Sequence, residues 1–367
     1  MNSNDNKKFI HFGCWNNQNC ITDNIGFNKN ARKLKKMNLR EYDFISVAGD
    51  NYYPDKIKDG GKTTKTFNEK NFVDGFNCLP NHINKYVIFG NHDMIDEYDD
   101  GQCKALVRTK ALQQQNMNIF DNVTHIFNNS TLIIFIDSTI YENDINRETK
   151  IKDSCYKNIF SDYQNKDDTL EQLKEYQTSQ IFGIIERYNN IKNIIIIGHH
   201  PLFSIKSKFC KPKPEGILDF LNIYERITTL EKLSDSSFFY LCADVHLYQH
   251  SEIILKNDKI INQYIVGSGG ANFDHGANAV ENLKDKIDSI IEALKDKYNF
   301  VKYKILEEIT MAYGFITVDY KDPSNIKFEF INSSKSIEDI SESKRIFLFN
   351  KYIKYKNKYL SLKKMKL

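Results

Sequence analysis

Short apolar runs alternate with longer amphipathic stretches along most of this chain. The runs are rich in Ile, Val, Phe and Tyr, and most are followed by Gly, Asn or Asp, as expected of strands buried in a sheet. Apolar residues at helical spacing predict a helix over 169–188. Strands that alternate with helices predict an α/β fold. The predicted strands are Phe9–Phe12, Phe44–Ala48, Tyr86–Phe89, Leu132–Ile136, Ile194–Ile197, Phe238–Cys242, Tyr264–Val266, Phe315–Tyr320 and Ile326–Ile331.

Two further stretches have helical periodicity. Val280–Val301 carries apolar residues along one face, and we interpret it as a helical insertion over about 276–311. After Glu342 the chain contains nine basic residues and no acidic one, with Leu and Tyr at spacings of four and three. This pattern predicts a domain over 8–335 followed by a basic amphipathic helix over 336–367. Such a helix is either a solvated element or a surface that docks a protein partner or a second copy of the chain.

Polar side chains follow five of the predicted strands, at the point where each strand ends. Each group opens with Gly or Ala and then presents Cys, Asp, Asn or His. Ligands of α/β sheets gather at the carboxyl ends of the strands, so five such loops predict a shared metal site. The groups are Gly13-Cys14-Trp15-Asn16, Gly49-Asp50-Asn51-Tyr52-Tyr53, Gly90-Asn91-His92-Asp93, Gly198-His199-His200-Pro201 and Ala243-Asp244-Val245-His246.

The order of these motifs resembles that of the calcineurin-like metallophosphoesterase superfamily. The pattern GDxxY, GNHD, GHxP and a late histidine carries the resemblance, together with Ile136-Asp137-Ser138 and Gly267-Ser268-Gly269-Gly270. Because Tyr53 follows Asp50 by three residues, the likeness is closest to the small purple (tartrate-resistant) acid phosphatases. It covers about residues 8–335 and implies a four-layer sandwich of two mixed β-sheets flanked by helices.

The resemblance implies a centre of two transition-metal ions bridged by a carboxylate. Oxygen donors and a phenolate suit iron, and imidazole suits a divalent partner, so we expect iron and/or zinc, with manganese as an alternative. Two cations polarise one phosphate and lower the pKa of a bound water from about 15.7 to roughly 7. The family's ligand positions correspond here to Asp50, Tyr53, Asn91, His199, His246, Cys14 and Asp244.

The implied reaction is hydrolysis of a phosphate ester, chiefly a monoester, by metal-bound hydroxide without a covalent intermediate. His92 matches the family's phosphate-contacting histidine, which protonates the leaving oxygen, and Asp93 would orient it. A second substrate-contacting histidine of the family is replaced by Lys208, which can still neutralise a phosphate oxygen. No pattern in the sequence identifies the substrate.

Two ligand positions depart from the family pattern. Cys14 stands where the family has Asp, and Asp244 stands where it has His. Both replacements can bind metal, although a thiolate beside ferric iron favours reduction, so zinc or ferrous iron fits better. The losses also support an alternative hypothesis, a catalytically degenerate phosphatase fold that acts as a binding or scaffold protein.

The composition of the chain restricts its partners and its cellular location only broadly. The 367 residues have a net charge of +3, too small to indicate a nucleic-acid partner. No apolar run approaches the roughly 20 residues that span a bilayer, so we expect no membrane association. The first residues lack the apolar core of a secretory signal, which predicts a cytoplasmic protein whose seven cysteines are free thiols. The Lys/Tyr-rich ending resembles tails of many giant-virus proteins, which extends the expected location to a virion or an infected cell.

Overall fold

A computed structural model describes residues 8–15, 30, 33–34, 36–53, 56–59, 62–94, 118–119, 123–142, 170–208, 211–270, 274, 284–295, 297–310 and 312–331. The chain divides into two compact units, Met1–Ile331 and Asn332–Leu367. The second unit lies outside the described residues, so the basic C-terminal helix stays a prediction. Within the described part of the chain, every helix is too short or too polar to span a bilayer.

The helices and strands alternate along the first unit. The helices are α1 (Glu69–Asn77), α2 (Asn91–Met94), α3 (Leu170–Glu186), α4 (Phe220–Thr228) and α5 (Lys284–Lys295), with 3₁₀ turns at Leu39–Glu41, Thr139–Tyr141 and Glu231–Leu233. The strands are β1 (Lys8–Phe12), β2 (Tyr42–Ala48), β3 (Lys56–Asp59), β4 (Lys62–Lys65), β5 (Asn84–Ile88), β6 (Asn118–Ile119), β7 (Thr124–Asn128), β8 (Thr131–Phe135), β9 (Asn193–Ile197), β10 (Ser204–Lys208), β11 (Lys211–Glu215), β12 (Ser237–Cys242), β13 (Tyr248–Leu255), β14 (Ile260–Val266), β15 (Phe300–Ile309), β16 (Tyr313–Asp319) and β17 (Lys327–Ile331).

Two large mixed sheets form the core. The six-stranded sheet has the order β17-β16-β1-β2-β5-β6, and its strands β1, β2 and β5 are parallel. The seven-stranded sheet has the order β15-β13-β14-β12-β9-β8-β7, and its strands β8, β9, β12 and β14 are parallel. The parallel strands are apolar almost throughout because both faces of each sheet are covered.

Aromatic side chains fill the space between the two sheets. The ring of Phe44 on β2 meets that of Phe135 on β8 edge to face, with centroids 6.1 Å apart. Phe135 also stacks on Tyr86, and Tyr248 stacks on Phe328 at 4.1 Å. Ring pairs of this kind stabilise by about 0.5–1.5 kcal/mol beyond the burial of their surface. The predicted α/β sandwich of two mixed sheets flanked by helices is therefore confirmed.

The prediction of a long helix over 280–301, within a helical insertion over 276–311, is wrong in its second half. Helix α5 ends at Lys295, and Phe300–Ile309 forms β15, which pairs antiparallel with β13. Without β15, the backbone N–H and C=O groups along one side of β13 would have no partner strand. Phe300 and Tyr303 are also buried, so sheet pairing outweighs the local helical pattern.

The cysteines depart in part from the expectation of free thiols. Cys14 and Cys242 are free and buried, but Cys78 forms a disulfide whose partner lies outside the described residues. The spacing of cysteines along a chain does not reveal such a pairing, since it depends on which residues approach within about 7 Å after folding.

Candidate metal centre

The carboxyl ends of parallel strands from both sheets meet at one edge of the sandwich. There β1 leads to Cys14 and β2 to Asp50, while β9 leads to His199 and β12 to Asp244. The backbone joins the sheets at this edge, because the N–H of Gly13 donates to the carbonyl of Val266 at 3.0 Å. Four of the five predicted polar loops therefore converge through the strand order of the fold.

Three of the residues at this edge have left-handed backbone. The φ angles are 52° at Cys14, 51° at Asp50 and 51° at Asp244. For residues other than Gly this conformation costs about 1–3 kcal/mol, and it is frequent where function requires strain. Each of the three residues lies two positions after its strand, so the chain turns sharply as soon as the strand ends.

The carboxylate of Asp50 lies at the centre of the cluster and is 1% exposed. Its Oδ1 lies 3.3 Å from Nε2 of His199 and accepts the N–H of His92 at 3.0 Å. Its Oδ2 accepts the hydroxyl of Tyr53 at 2.7 Å, and that hydroxyl lies 3.1 Å from Nε2 of His246. The two oxygens of Asp50 thus face two different sets of donors, as a bridging ligand requires.

The pKa of Asp50 reflects opposing effects. Burial raises it, but His199, His92 and the hydrogen bond from Tyr53 act more strongly together and hold the pKa well below its usual range. Asp50 is therefore a carboxylate at neutral pH, and it is available to a cation.

The imidazole of His199 is oriented for metal binding. Its Nδ1 lies 2.7 Å from the carbonyl of Ala48, which can only accept, so the proton of the neutral ring is on Nδ1. Nε2 then carries a lone pair, is buried, and has no hydrogen-bond partner. It faces Oδ1 of Asp50 at 3.3 Å and Oδ1 of Asp244 at 3.7 Å. In the neutral ring this lone pair would face two carboxylates, a repulsion that either a proton on Nε2 or a bound cation removes, so the donor set fits a metal ion.

Gly90 permits the close approach of the GNHD loop. A Cβ at this position would lie 2.4 Å from Oδ1 of Asp50 and 2.6 Å from Nε2 of His199. Any other residue would therefore occupy the space between the bridging carboxylate and the imidazole.

Cys14 lies within the cluster although it is completely buried. It packs against Ala48, Ala243 and Tyr53. One ligand atom each of Cys14, Asp50 and His199 lie within 4.8 Å of one another. Burial, followed by the nearby carboxylates, raises the pKa of the Cys14 thiol and likewise that of the Tyr53 phenol. Both groups are therefore neutral without a cation, and a bound metal ion would reverse this.

The GNHD loop contributes Asn91, His92 and Asp93. Oδ1 of Asn91 accepts the N–H of His92, which also reaches Asp50. The ring of His92 is exposed, 5.3 Å between centroids from Tyr53, and so can meet a substrate. The oxygens of Asp93 accept the backbone N–H of Asn51 at 3.0 Å, its side-chain amide at 2.8 Å and the N–H of Gly90 at 2.9 Å. These bonds tie together the loops after β2 and β5, while the orientation of His92 by Asp93 stays a prediction.

Comparison with known proteins identifies the family. A model of the calcineurin-like phosphoesterase family matches residues 7–228, more than half of the chain. The chain belongs to the calcineurin-like phosphoesterase family. No curated protein matches the sequence.

A solved structure agrees with the fold of this chain. A purple acid phosphatase from yellow lupin (Lupinus luteus) seeds is similar with a TM-score of 0.51 and 12% identity, over 89% of this chain and 52% of that chain. The phosphoesterase therefore spans about half the length of the lupin protein. PhoD is similar at 12% identity with a TM-score of 0.44, over 95% of this chain and 76% of that chain. At 12% identity the likeness to the lupin protein concerns the fold alone.

The sequence motifs did not reveal Asp274, which contacts two residues at this site. Oδ2 of Asp274 accepts the backbone N–H of His246 at 3.1 Å and the ammonium of Lys206 at 2.9 Å. His246 and Lys206 lie 28 and 68 positions before Asp274 in the sequence, so no local pattern indicates these two contacts. For Lys208, predicted to contact substrate, the structure describes the backbone within β10 but not the side chain.

The second histidine of the GHHP motif was also missed. The hydroxyl oxygen of Ser138 accepts the backbone N–H groups of His199 and His200, at 2.9 and 3.0 Å, and lies 3.0 Å from Nδ1 of His200. Nε2 of His200 is 2.8 Å from a carboxylate oxygen of Glu142. Ser138 therefore fixes the turn that presents His199. The Ile136-Asp137-Ser138 motif in the sequence marked this position but did not reveal its partner.

Proposed function

We propose that this phosphoesterase hydrolyses a phosphate monoester at a centre of two transition-metal ions. The observation that carries the proposal is the position of Asp50. Its Oδ1 faces the unpartnered Nε2 of His199, and its Oδ2 faces Tyr53 with His246 behind it. One carboxylate between two sets of donors is the arrangement that holds two cations about 3.5–4 Å apart.

The two sets of donors divide naturally between two ions. Cys14, Tyr53 and His246 belong to the first site, and Asn91, His199 and Asp244 belong to the second, with Asp50 shared. When bound, the two cations supply the charge that polarises the phosphate and acidifies a water molecule. A thiol together with imidazole and carboxylate donors suits iron and/or zinc, with manganese as the harder alternative.

The side chains around this centre have separate tasks in the proposed reaction. His92 is exposed beside Tyr53, so its imidazole reaches the leaving oxygen of a bound ester and donates a proton to it. Asp93 holds the loops that carry Asp50 and Asn91 in register through its bonds to Asn51 and Gly90. The protein needs no nucleophile of its own, because water attacks the phosphorus.

A second candidate function is that of a binding or scaffold protein. The packing of Cys14 favours it, since the thiol contacts Ala48 and Ala243 as a small apolar side chain would. In this alternative the cluster is a remnant of a catalytic site and holds no metal pair.

The experiment that separates the two functions combines elemental analysis with a phosphatase assay. Protein purified and then loaded with iron, zinc or manganese should retain close to two metal equivalents and hydrolyse p-nitrophenyl phosphate. Asp50→Asn should lose both properties, whereas Asp288→Asn, at an exposed position of α5, should keep them. Folded protein that retains no metal from any of the three loadings would instead support the scaffold function.

A further inference from the structure

The hairpin β10–β11 follows the His199-His200 turn and is rich in lysine. Its register pairs Lys206 with Lys213 and Lys208 with Lys211. Like charges directly opposite each other destabilise an antiparallel pair. Two Lys–Lys pairs, separated by the Ser207–Pro212 pair, therefore favour a ligand of opposite charge, and we call the paired strands 204–208 and 211–215 the lysine hairpin.

The lysine hairpin is firmly anchored at its base. Ser204 and Ile205 are completely buried, and the side-chain amide of Gln263 contacts the backbone of Leu202 and Phe203 just before them. The hairpin therefore projects from the core next to the loop that carries His199, at a fixed position.

Lys206 connects the lysine hairpin with the metal centre. Its side chain is 26% exposed and its ammonium lies 2.9 Å from Oδ2 of Asp274, and the same oxygen accepts the backbone N–H of His246. Two contacts thus join this cation to the backbone of a predicted metal ligand. Burial lowers the pKa of Lys206, but Asp274, Asp244 and Glu215 raise it overall, so the side chain is charged at neutral pH.

The ammonium groups of Lys206 and Lys213 each have an acidic partner among the described residues. Asp274 pairs with Lys206, and Glu215 pairs with Lys213, whose side chain is 64% exposed. Each ammonium has three donors and uses one of them for its carboxylate, so donors remain for an anion. Lys208 and Lys211 add two more positive charges to the same short segment.

We propose that the lysine hairpin binds a second phosphate group of the substrate, beside the phosphate that the metal centre takes. The inference rests on the proposed function and specifies its substrate class, a compound with at least two phosphates, as in a nucleoside diphosphate. The phosphate to be cleaved would lie at the residues of the metal centre, and Lys206 and Lys213 would bind the next one through charge-assisted hydrogen bonds.

The experiment compares two inhibitors that differ by one phosphate. Inorganic pyrophosphate and orthophosphate compete with p-nitrophenyl phosphate, and the ratio of their inhibition constants isolates the second phosphate. Wild-type protein should prefer pyrophosphate by at least about tenfold, and Lys206→Met with Lys213→Met should remove most of that preference. Lys302→Met, at an exposed position of β15, removes the same charge elsewhere and should leave the ratio unchanged.

Two controls keep the result clear. Lys213→Met alone changes an exposed side chain, so a smaller loss of the pyrophosphate preference in this variant excludes misfolding as the cause. Titration calorimetry measures the affinity for pyrophosphate directly, without relying on hydrolysis of p-nitrophenyl phosphate. If the protein binds pyrophosphate and loses this binding in the lysine variants, the hairpin inference stands even where p-nitrophenyl phosphate is not hydrolysed and the proposed function fails. Equal inhibition by the two anions, or equal weakening of both in the lysine variants, overturns it.

Discussion

At the residue scale, the substituted ligands Cys14 and Asp244 share one backbone feature. Both have left-handed φ angles, and so does the acidic bridge at Asp50. Asp and His adopt this conformation more readily than most residues. The backbone is therefore compatible with the family's Asp at position 14 and with its His at position 244. The two substitutions therefore concern the donor chemistry and leave the path of the chain unchanged.

The double variant Cys14→Asp with Asp244→His should bind iron more tightly and hydrolyse p-nitrophenyl phosphate faster, by about tenfold or more. It replaces a buried thiol of raised pKa by a carboxylate and gives the second site another imidazole. Iron content and kcat/KM of the double variant and of both single variants measure the effect. Absence of any gain in the double variant would mean that the site differs from the family beyond these two positions.

His11 on β1 makes folding stability depend on pH. Burial lowers its pKa from 6.5 to about 3, although the carbonyl of Cys242 acts in the opposite direction. The folded protein therefore holds His11 neutral, while the unfolded chain takes up a proton below pH 6.5. The stabilisation is complete above that pH and is lost as the pH falls toward 3.

When the pH falls from 7 to 5, His11 should lower the free energy of unfolding by about 2 kcal/mol. Urea unfolding at the two pH values, with chelator present, should show a smaller pH dependence for His11→Gln than for the wild type. His82→Gln, at an exposed position, is the matched control and should keep the wild-type dependence. The same slope in His11→Gln and in the wild type would contradict the assignment.

At the element scale, the predictions that held concern strands whose apolar character is continuous. All nine predicted strands are strands in the structure, and β1, β2, β9 and β12 among them have continuous apolar runs that are largely buried. Strands with mixed faces escaped prediction. In β13 buried and half-exposed residues alternate, and β15 is largely exposed, so neither has an apolar run.

The same limit applies to the candidate site. The motifs marked Asp50, His199 and His246 because each polar group follows a strand end directly. Asp274 and Glu142 were not marked, since they contact the histidines only through the packing of distant segments. Local sequence thus indicated the candidate ligands, while the contacts that position them depend on tertiary structure.

Asp93 should stabilise the packing of the loop after β2 against the loop after β5. This buried carboxylate accepts hydrogen bonds from Asn51 and Gly90. Asp93→Asn replaces one acceptor oxygen by an N–H₂ group that faces these donors, so unfolding free energy should fall by about 1–3 kcal/mol. Urea denaturation measures this loss, with Asp288→Asn as a control of the same chemistry on an exposed helix. A loss no larger than that of the control would show that the two loops are held by other contacts.

At the scale of the whole molecule, the candidate site joins the two sheets. Cys14 and Asp50 follow strands of the six-stranded sheet, and His199 and Asp244 follow strands of the seven-stranded sheet. In the proposed division each ion would take ligands from both sheets, so metal binding would oppose their separation and add to the stability of the fold.

Metal loading should accordingly raise the thermal midpoint of the protein. A free metal concentration 100-fold above Kd stabilises by about 2.7 kcal/mol. Scanning calorimetry of chelated and reloaded protein should show the rise in the wild type and a much smaller one in Asp50→Asn. Equal midpoints with and without metal in the wild type would exclude a site that links the sheets.

The hydrogen bond between Nδ1 of His199 and the carbonyl of Ala48 has a consequence for biosynthesis. The histidine belongs to one sheet, and the peptide that sets the rotation of its ring belongs to the other. A nascent chain whose halves have not yet docked leaves this imidazole free to turn, so it cannot present its lone pair toward Asp50. If this site binds metal as proposed, uptake should follow docking of the two sheets, and a loaded site would indicate that both sheets are in place.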